Sequence, residues 1–308
     1  MKVYKSLSEI RKIDNPVVTI GTFDGVHEGH KQIIERLNKA KEEIRGESFI
    51  FTFHPHPRQV LFPGQRDLKL LTLTGEKLHL LEKAGIDHVL VYPFTKEFSR
   101  LSATDYIKQI LVEGIGTKKL IIGYDHKFGN NREGNFEILE KFSAQYNFSV
   151  EEIPAHEIEH SNVSSTKIRR ALEQGDIQTA NKYLGYAYFL SGTVIKGKQL
   201  GRQLGYPTAN IGDVDGTKLV PGIGVYAVTT ILGGKRYKGM MSVGLNPTTD
   251  TDNKLKIEVN IFNFDKDIYG KEITVEFCKR LRNEEKFESL EKLKKQLAID
   301  KENALSVL

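Results

Sequence analysis

Hydrophobic and polar positions fall into two textures along this chain. Up to Gly185, short apolar runs at 17–20, 48–53, 87–92, 119–123 and 148–153 are separated by stretches with helical spacing. Ile33, Ile34, Leu37, Ala40 and Ile44 share one helical face. Leu78, Leu80 and Leu81, with Ala84 nearby, form another, and Tyr106, Ile107, Ile110 and Leu111 a third. Strand alternating with helix predicts βαβ units on a parallel sheet. Two short helices are expected at 165–173 and 176–184.

Beyond Gly185 strand-like runs recur at 188–195, 224–232, 236–243, 255–264 and 271–279, divided by Gly, Asn, Asp and Pro. No long helical pattern intervenes until 284–298, where Phe287, Leu290, Leu293 and Leu297 make an apolar stripe. This spacing predicts a small antiparallel barrel or sandwich closed by one terminal helix. The expected fold class is therefore α/β: a Rossmann-like parallel sheet over 1–185, then a β-barrel with a C-terminal helix over 186–308. There is no internal repeat and no low-complexity tract.

Composition narrows this picture without changing it. The chain has 308 residues, 39% hydrophobic and 28% charged, which suits a globular protein and argues against disorder. The net charge of +5 is spread along the sequence, and its densest cluster, Lys292 to Lys295, reads as a solvated helix face. A modest basic excess suits anionic small substrates. No long basic arm or aromatic-basic repeat suggests a nucleic-acid partner. The single cysteine, Cys278, alternates into a strand and has no internal disulfide partner. No run approaches the ~18 apolar residues of a membrane span, and the N-terminus lacks a signal-peptide core. A cytoplasmic protein with no membrane partner is expected; oligomeric state is not legible.

The segment Gly21-Thr22-Phe23-Asp24-Gly25-Val26-His27-Glu28-Gly29-His30 carries the most chemistry. It follows an apolar strand and leads into an amphipathic helix, placing His27 and His30 at a helix entrance where backbone N–H groups attract anions. Developing phosphate charge is what such a site stabilises, so nucleotidyl transfer is the first hypothesis. Three more loops follow strands or open helices: Phe53-His54-Pro55-His56-Pro57, Gly123-Tyr124-Asp125-His126-Lys127-Phe128-Gly129, and Ser164-Ser165-Thr166-Lys167-Ile168-Arg169. Each alone could be a cap or turn; four phosphate-friendly loops in order are harder to explain that way. His27, His54 and Asp125 all follow strand ends, where ligands of open sheets bind.

In the second half, glycines at 192, 197, 201 and 205 surround Arg202 and lead to Pro207-Thr208-Ala209-Asn210. The Thr208 hydroxyl and Asn210 amide oxygen, two positions apart on extended chain, face the same way and could hold a hard cation. Glu258 is an acid in the otherwise apolar run Ile257 to Phe262. It reads either as an outward-facing surface acid or as a base.

Together these motifs resemble the bacterial bifunctional riboflavin kinase/FAD synthetase family over nearly the whole chain. The resemblance implies that FMN phosphate attacks the α-phosphorus of ATP, giving FAD and pyrophosphate, with His27 and His30 stabilising charge. It implies ATP contacts from Gly21, Phe23, Asp24, Gly29, Asp125, Ser164, Ser165, Thr166 and Arg169. Flavin contacts are implied from His56, Phe62, Tyr106 and Phe128. For the second half it implies a six-stranded riboflavin kinase barrel, with Gly192, Gly197, Gly201 and Arg202 around the phosphates. There Thr208 and Asn210 would hold Mg²⁺ with ATP, and Glu258 would be the base for the ribityl hydroxyl. The implied partners are riboflavin, FMN and ATP. Ser242, Asn246 and Asn260 depart from the family pattern, which usually has Asn, Arg and often His there. Asn246 lacks the charge and forked donors of arginine. Three other readings stay open: an FMN adenylyltransferase whose barrel only binds flavin, a flavin-responsive regulator, and a nucleotidyltransferase for pyridine nucleotides or pantetheine phosphate.

Overall fold

Val17–Ile20 (β2) is buried at every position because it lies between strands and under helices on both faces. The computed structural model describes all residues except 63, 65–67, 155–162, 198–199 and 246–254. A six-stranded parallel sheet forms from Lys2–Tyr4 (β1), β2, Ser48–His54 (β3), His88–Pro93 (β4), Lys119–Gly123 (β5) and Ser149–Ile153 (β6). Its order is β1-β4-β3-β2-β5-β6. The chain steps outward from β2 through β3 to β4, then returns to the other side of β2 for β5 and β6. That reversal opens a crevice at the carboxyl ends of β2 and β5.

Alternate strand residues feed two apolar layers. Val17, Ile50, Val89 and Ile121 pack with Ile34 and Leu37 of Glu28–Glu43 (α1). Val18, Phe49, Phe51, Leu90 and Leu120 pack with Tyr106, Ile107, Ile110 and Leu111 of the π-helical segment Tyr106–Ile115. The expected strands shift by a residue or so. The elements that went unread here include β1, the short helix Pro57–Leu61 (α2), and Phe136–Tyr146 (α4), which Asn135 caps by accepting from Ile138 N at 3.0 Å. Thr74–Lys83 (α3) matches the face around Leu81.

A closed barrel follows, built from Phe189–Ile195 (β7), Ala209–Gly212 (β8), Gly224–Leu232 (β9), Lys235–Leu245 (β10), Leu255–Ile261 (β11) and Glu272–Arg282 (β12). Its order is β10-β11-β8-β7-β12-β9, every neighbouring pair antiparallel. Closure removes the exposed edges an open sheet would leave. β8, too short to stand out in the sequence, completes the ring. The terminal helix runs over Leu290–Val307 (α7), later than expected, because Ser289 Oγ caps it by accepting from Lys292 N at 3.2 Å. Its seated side continues the expected stripe through Leu297, which packs with Ala304 against Ala227, Met240 and Phe262. Leu290 is exposed, while Asp300 and Ala304 are buried and Asp300 takes Arg282 in a two-pronged ion pair at 2.9 and 2.8 Å.

The chain divides into two compact units, Met1–Ser165 and Thr166–Leu308. The helices Ser165–Glu173 (α5) and Ile177–Leu184 (α6) pack with the barrel. Asn181 shows why: its Nδ2 donates to Phe277 O and its Oδ1 accepts from Tyr188 N, both at 2.8 Å.

Candidate active sites

The chain leaves β2 at Gly21, whose N–H donates to Phe51 O at 3.0 Å. Phe23, Gly25 and Val26 then take left-handed φ values of 49°, 87° and 37°. Glycine adopts these freely, but for Phe and β-branched Val they cost on the order of 1–3 kcal/mol each and must be enforced by neighbours. Asp24 does part of this work. Its buried carboxylate accepts from Leu71 N and Thr72 N, each at 3.0 Å, while Gly25 N donates to Thr72 Oγ1 at 3.0 Å. Ser165 Oγ donates to the Asp24 carbonyl at 3.0 Å. The carboxylate expected at ATP is therefore engaged by the protein's own backbone.

The turn delivers His27 to the N-cap of α1, with the buried Gly29 behind it. The His27 and His30 rings stack with centroids 3.7 Å apart and 14° between planes, and Phe23 lies 5.0 Å from His30. Burial, and the nearby His27 and Lys77, hold the His30 imidazole well below its usual 6.5. At neutral pH it is an uncharged ring with one N–H to donate. Its Nδ1 is buried with no partner among the described residues. An anion arriving at this helix start would meet that nitrogen.

The remaining residues expected at ATP or flavin differ in exposure. Asp125 is exposed in the turn after β5, directly across the switch point from Gly21 in strand order. His56 caps α2, its Nδ1 accepting from Arg58 N at 3.2 Å. Phe62 is half exposed, but Tyr106 and Phe128 are buried 5.2 Å apart in the aromatic core with Phe51 and Phe98. The three aromatics do not form one open face. Ser164 precedes α5; Thr166 is exposed and Arg169 half-buried on that helix. Lys77 was missed. It is 6% exposed, a rare state for lysine, and its Nζ donates to Thr22 O and Thr52 Oγ1, both at 3.0 Å. A charged residue four positions before the buried Leu81 was the available signal.

In the barrel, strand register assembles a second row. Glu258 of β11 lies directly opposite Asn210 of β8 on one side and Ser242 of β10 on the other. Directly paired residues project to the same face, with Cβ atoms about 5 Å apart. A Cβ on Gly197 would fall 2.1 Å from Asn210 Nδ2, and one on Gly201 would fall 2.3 Å from Tyr206 O and 3.4 Å from Thr208 Oγ1. At these two glycines the backbone passes close against the 206–210 segment. Gly192 serves β7 itself, passing against the Gly212 carbonyl. A cavity of about 460 Å³ is lined by Thr208, Arg202, Asp265, Asp267 and Tyr269, with Ala209 and Val259, which alternate to the face opposite Asn210 and Glu258. Asn210 and Glu258 are not among its lining residues. Asn260 donates to Pro207 O at 2.7 Å and so tethers the same segment. Lys256 Nζ, also unforeseen, is 2.9 Å from Glu258 Oε1. Asn246 lies outside the described residues. The described residues contain no cluster of three or more His, Cys, Asp or Glu able to hold a metal. The oxygen donors of Thr208 and Asn210, with Glu258 opposite, nonetheless suit a hard cation that a phosphate chain helps to ligate.

A phosphate-ready turn at a sheet switch point, joined to a barrel with a glycine-covered Thr/Asn/Glu row, defines a two-site enzyme of nucleotide-dependent group transfer. Two family models match, FAD synthetase over residues 10–167 and riboflavin kinase over residues 184–308. The chain belongs to the bifunctional riboflavin kinase/FMN adenylyltransferase family. The relative so described from Haemophilus influenzae is 38% identical over 295 residues, covering 96% of this chain and 94% of its own. That from Listeria monocytogenes is 37% identical over 289 residues, covering 94% and 91%. That from Escherichia coli K12 is 35% identical over 285 residues, covering 92% and 90%. A crystal structure described as a macrolide-efflux protein from Streptococcus pneumoniae aligns with a TM-score of 0.89 at 31% identity, covering 98% of this chain and 97% of that one. Among the described residues no helix is long and apolar enough to cross a membrane.

Proposed function

We propose that this chain carries out two successive ATP-dependent transfers, riboflavin to FMN in the barrel and FMN to FAD at the sheet. The matching of both family models within one chain favours two activities over an adenylyltransferase with a merely flavin-binding barrel. The observation that carries the sheet reaction is the stacked His27–His30 pair at the start of α1.

At the sheet, a phosphate oxygen of FMN attacks the α-phosphorus of ATP and the bond to pyrophosphate breaks. Neither imidazole is a nucleophile here; direct transfer needs positioning and charge stabilisation. His27 and His30 donate to the phosphate oxygens, His30 as a neutral ring. Asp125, Ser164 and Ser165 hold the nucleotide, while Gly21, Phe23, Asp24 and Gly29 shape its seat. His56 and Phe62 are the accessible flavin contacts, with Phe128 and Tyr106 supporting from the core.

In the barrel, the ribityl hydroxyl oxygen attacks the γ-phosphorus, ADP leaves, and Glu258 takes the hydroxyl proton. Thr208 and Asn210 would hold Mg²⁺, which neutralises phosphoryl oxygens when bound. Gly197, Gly201 and Arg202 form the cover over the phosphates, with Gly192 supporting them from within β7. By function the division is 1–185 and 186–308, even though α5 and α6 pack with the barrel. A cytoplasmic setting and small-molecule partners, without nucleic acid or membrane, fit this chemistry. The test is turnover of purified protein with ATP and Mg²⁺, supplied first with riboflavin and then with FMN. Both FMN and FAD should form; FAD from FMN alone, with riboflavin untouched, would reduce the protein to one activity.

A further inference from the structure

The buried ammonium of Lys77 has no part in the mechanism above, yet it sits on the hinge of the turn that aims both imidazoles. Thr22 carbonyl oxygen receives two donors, Lys77 Nζ at 3.0 Å and Thr52 Oγ1 at 3.2 Å. Lys77 also donates to Thr52 Oγ1 at 3.0 Å, so the three groups close a triangle. Thr52 is fully buried and Lys77 nearly so. Both lone pairs of the Thr22 carbonyl are thereby occupied, one peptide ahead of Phe23 with its φ of 49°. The Phe23 ring in turn abuts His30. Asp24 clamps the far side of the same turn through Leu71 and Thr72.

We propose that Lys77 is a positioning residue for adenylyl transfer, its buried ammonium fixing the Thr22 carbonyl and, through Phe23, the placement of His27 and His30. This rests on the adenylyl-transfer reading of the sheet site. A neutral side chain of similar length would leave the Thr22 carbonyl with one donor and the strained turn less determined. A charge kept in the interior, where an apolar residue would pack at lower cost, also points to more than core filling.

Among the described residues, Asp24, His30, Glu76 and His54 are the ionisable groups near Lys77. Asp24 attracts its charge, while His30 feels that charge as repulsion. Glu76, its neighbour in α3, accepts from Leu73 N at 2.8 Å, and His54 meets Thr74 at 3.3 Å. Burial brings the Lys77 ammonium down to about 8, with Asp24 opposing the fall. Above that pH the ammonium becomes an amine, so kcat/KM for adenylylation should carry an alkaline limb near pH 8.

The experiment compares full-length wild type with Lys77→Met, Lys77→Arg and Thr52→Val. It measures FAD formation from FMN across pH 6.5–10, FMN formation from riboflavin, and the His30 titration by NMR of labelled imidazole. Lys77→Met should lower kcat for FAD formation about 100-fold, as for a small misplacement of reacting groups. Riboflavin phosphorylation should stay within about twofold, and the His30 midpoint should rise because a repelling charge is gone. Lys77→Arg should recover most of the activity and erase the alkaline limb, since guanidinium stays charged. Thr52→Val should fall between. FAD formation within about twofold in Lys77→Met, with an unmoved His30 midpoint, overturns the proposal. If Lys77→Met loses both activities through misfolding, Lys77→Arg decides, and an alkaline limb identical to wild type overturns it. A wild type that makes no FAD defeats the adenylyl-transfer reading instead, and Lys77 is then judged on the His30 titration alone.

Discussion

The two sites proposed for this chain would solve the same problem, holding a phosphate chain, by opposite means. The sheet site is a strained turn enforced from beneath. Three left-handed residues are held between the Asp24 clamp and the Lys77–Thr52–Thr22 triangle, so the imidazoles arrive preorganised. The proposed barrel site is a row set by strand register, Ser242–Glu258–Asn210, with Gly197 close against Asn210. The first depends on buried polar contacts, the second on the absence of side chains. Substitutions should therefore fail differently in the two places: loss of a polar group in the sheet, gain of a carbon in the barrel.

The largest separation between the sites should come from their reacting groups. His30→Ala should lower FAD formation by ~100-fold or more, the usual cost of one oxyanion-type donor, while FMN formation from riboflavin persists. Equal loss of both activities would mean that the variant had not folded. Glu258→Gln should do the reverse. Riboflavin phosphorylation should fall by about 10²–10⁴, the range for a lost general base, with FAD formation from supplied FMN unchanged. Full retention of phosphorylation would remove Glu258 from the chemistry and leave its ion pair with Lys256 as a surface feature.

A subtler probe of the barrel is Gly197→Ala. The added methyl would meet the Asn210 amide at 2.1 Å, so the loop must lift or the amide must turn. Either movement disturbs the segment proposed to hold Mg²⁺ with ATP. We expect KM for ATP in riboflavin phosphorylation to rise about tenfold, roughly one hydrogen bond's worth, with no effect on FAD formation. The same substitution at Gly205, where φ is 82° and nothing crowds the position, tests backbone strain alone.

How much of this was legible beforehand follows from what each feature depends on. The parallel sheet and barrel were readable because periodicity is local, and the His-x-Gly-His turn because its residues are contiguous. β1 and β8 were not, since Lys2–Tyr4 and Ala209–Gly212 are too short to show a period and gain their pairing from distant strands. The late start of α7 was written in Ser289 but hidden beneath an apolar stripe that runs past it. Asp24 reads as a ligand because it lies within the signature; only the fold brings Leu71 and Thr72 to it. Tyr106 and Phe128 are aromatics whose spacing suits core and ligand equally, and burial assigns both to the core. Lys77 and Thr52 meet across 25 residues, a contact no local pattern reveals.

The smallest expected effect also belongs to the sheet unit and concerns acid rather than activity. His126, in the turn after β5, stacks on Phe128 at 5.9 Å, and its Nε2 is buried with no partner among the described residues. Burial brings its imidazole down to about 4, against an ordinary 6.5, with Asp125 opposing and Arg132 adding to the shift. Between those two values the unfolded chain binds a proton that the folded chain refuses, so stability rises with pH across the window and is lost as pH falls through it. His30 contributes in the same direction, its folded value also being lowered. Scanning calorimetry of the full chain at pH 7 and pH 5 should therefore show a fall in Tm on acidification. In His126→Asn that fall should be smaller by on the order of 2–4 °C, and His30 should account for part of what remains. An unchanged difference in His126→Asn would mean that the ring reaches solvent in the folded protein and titrates there as it does in the unfolded chain.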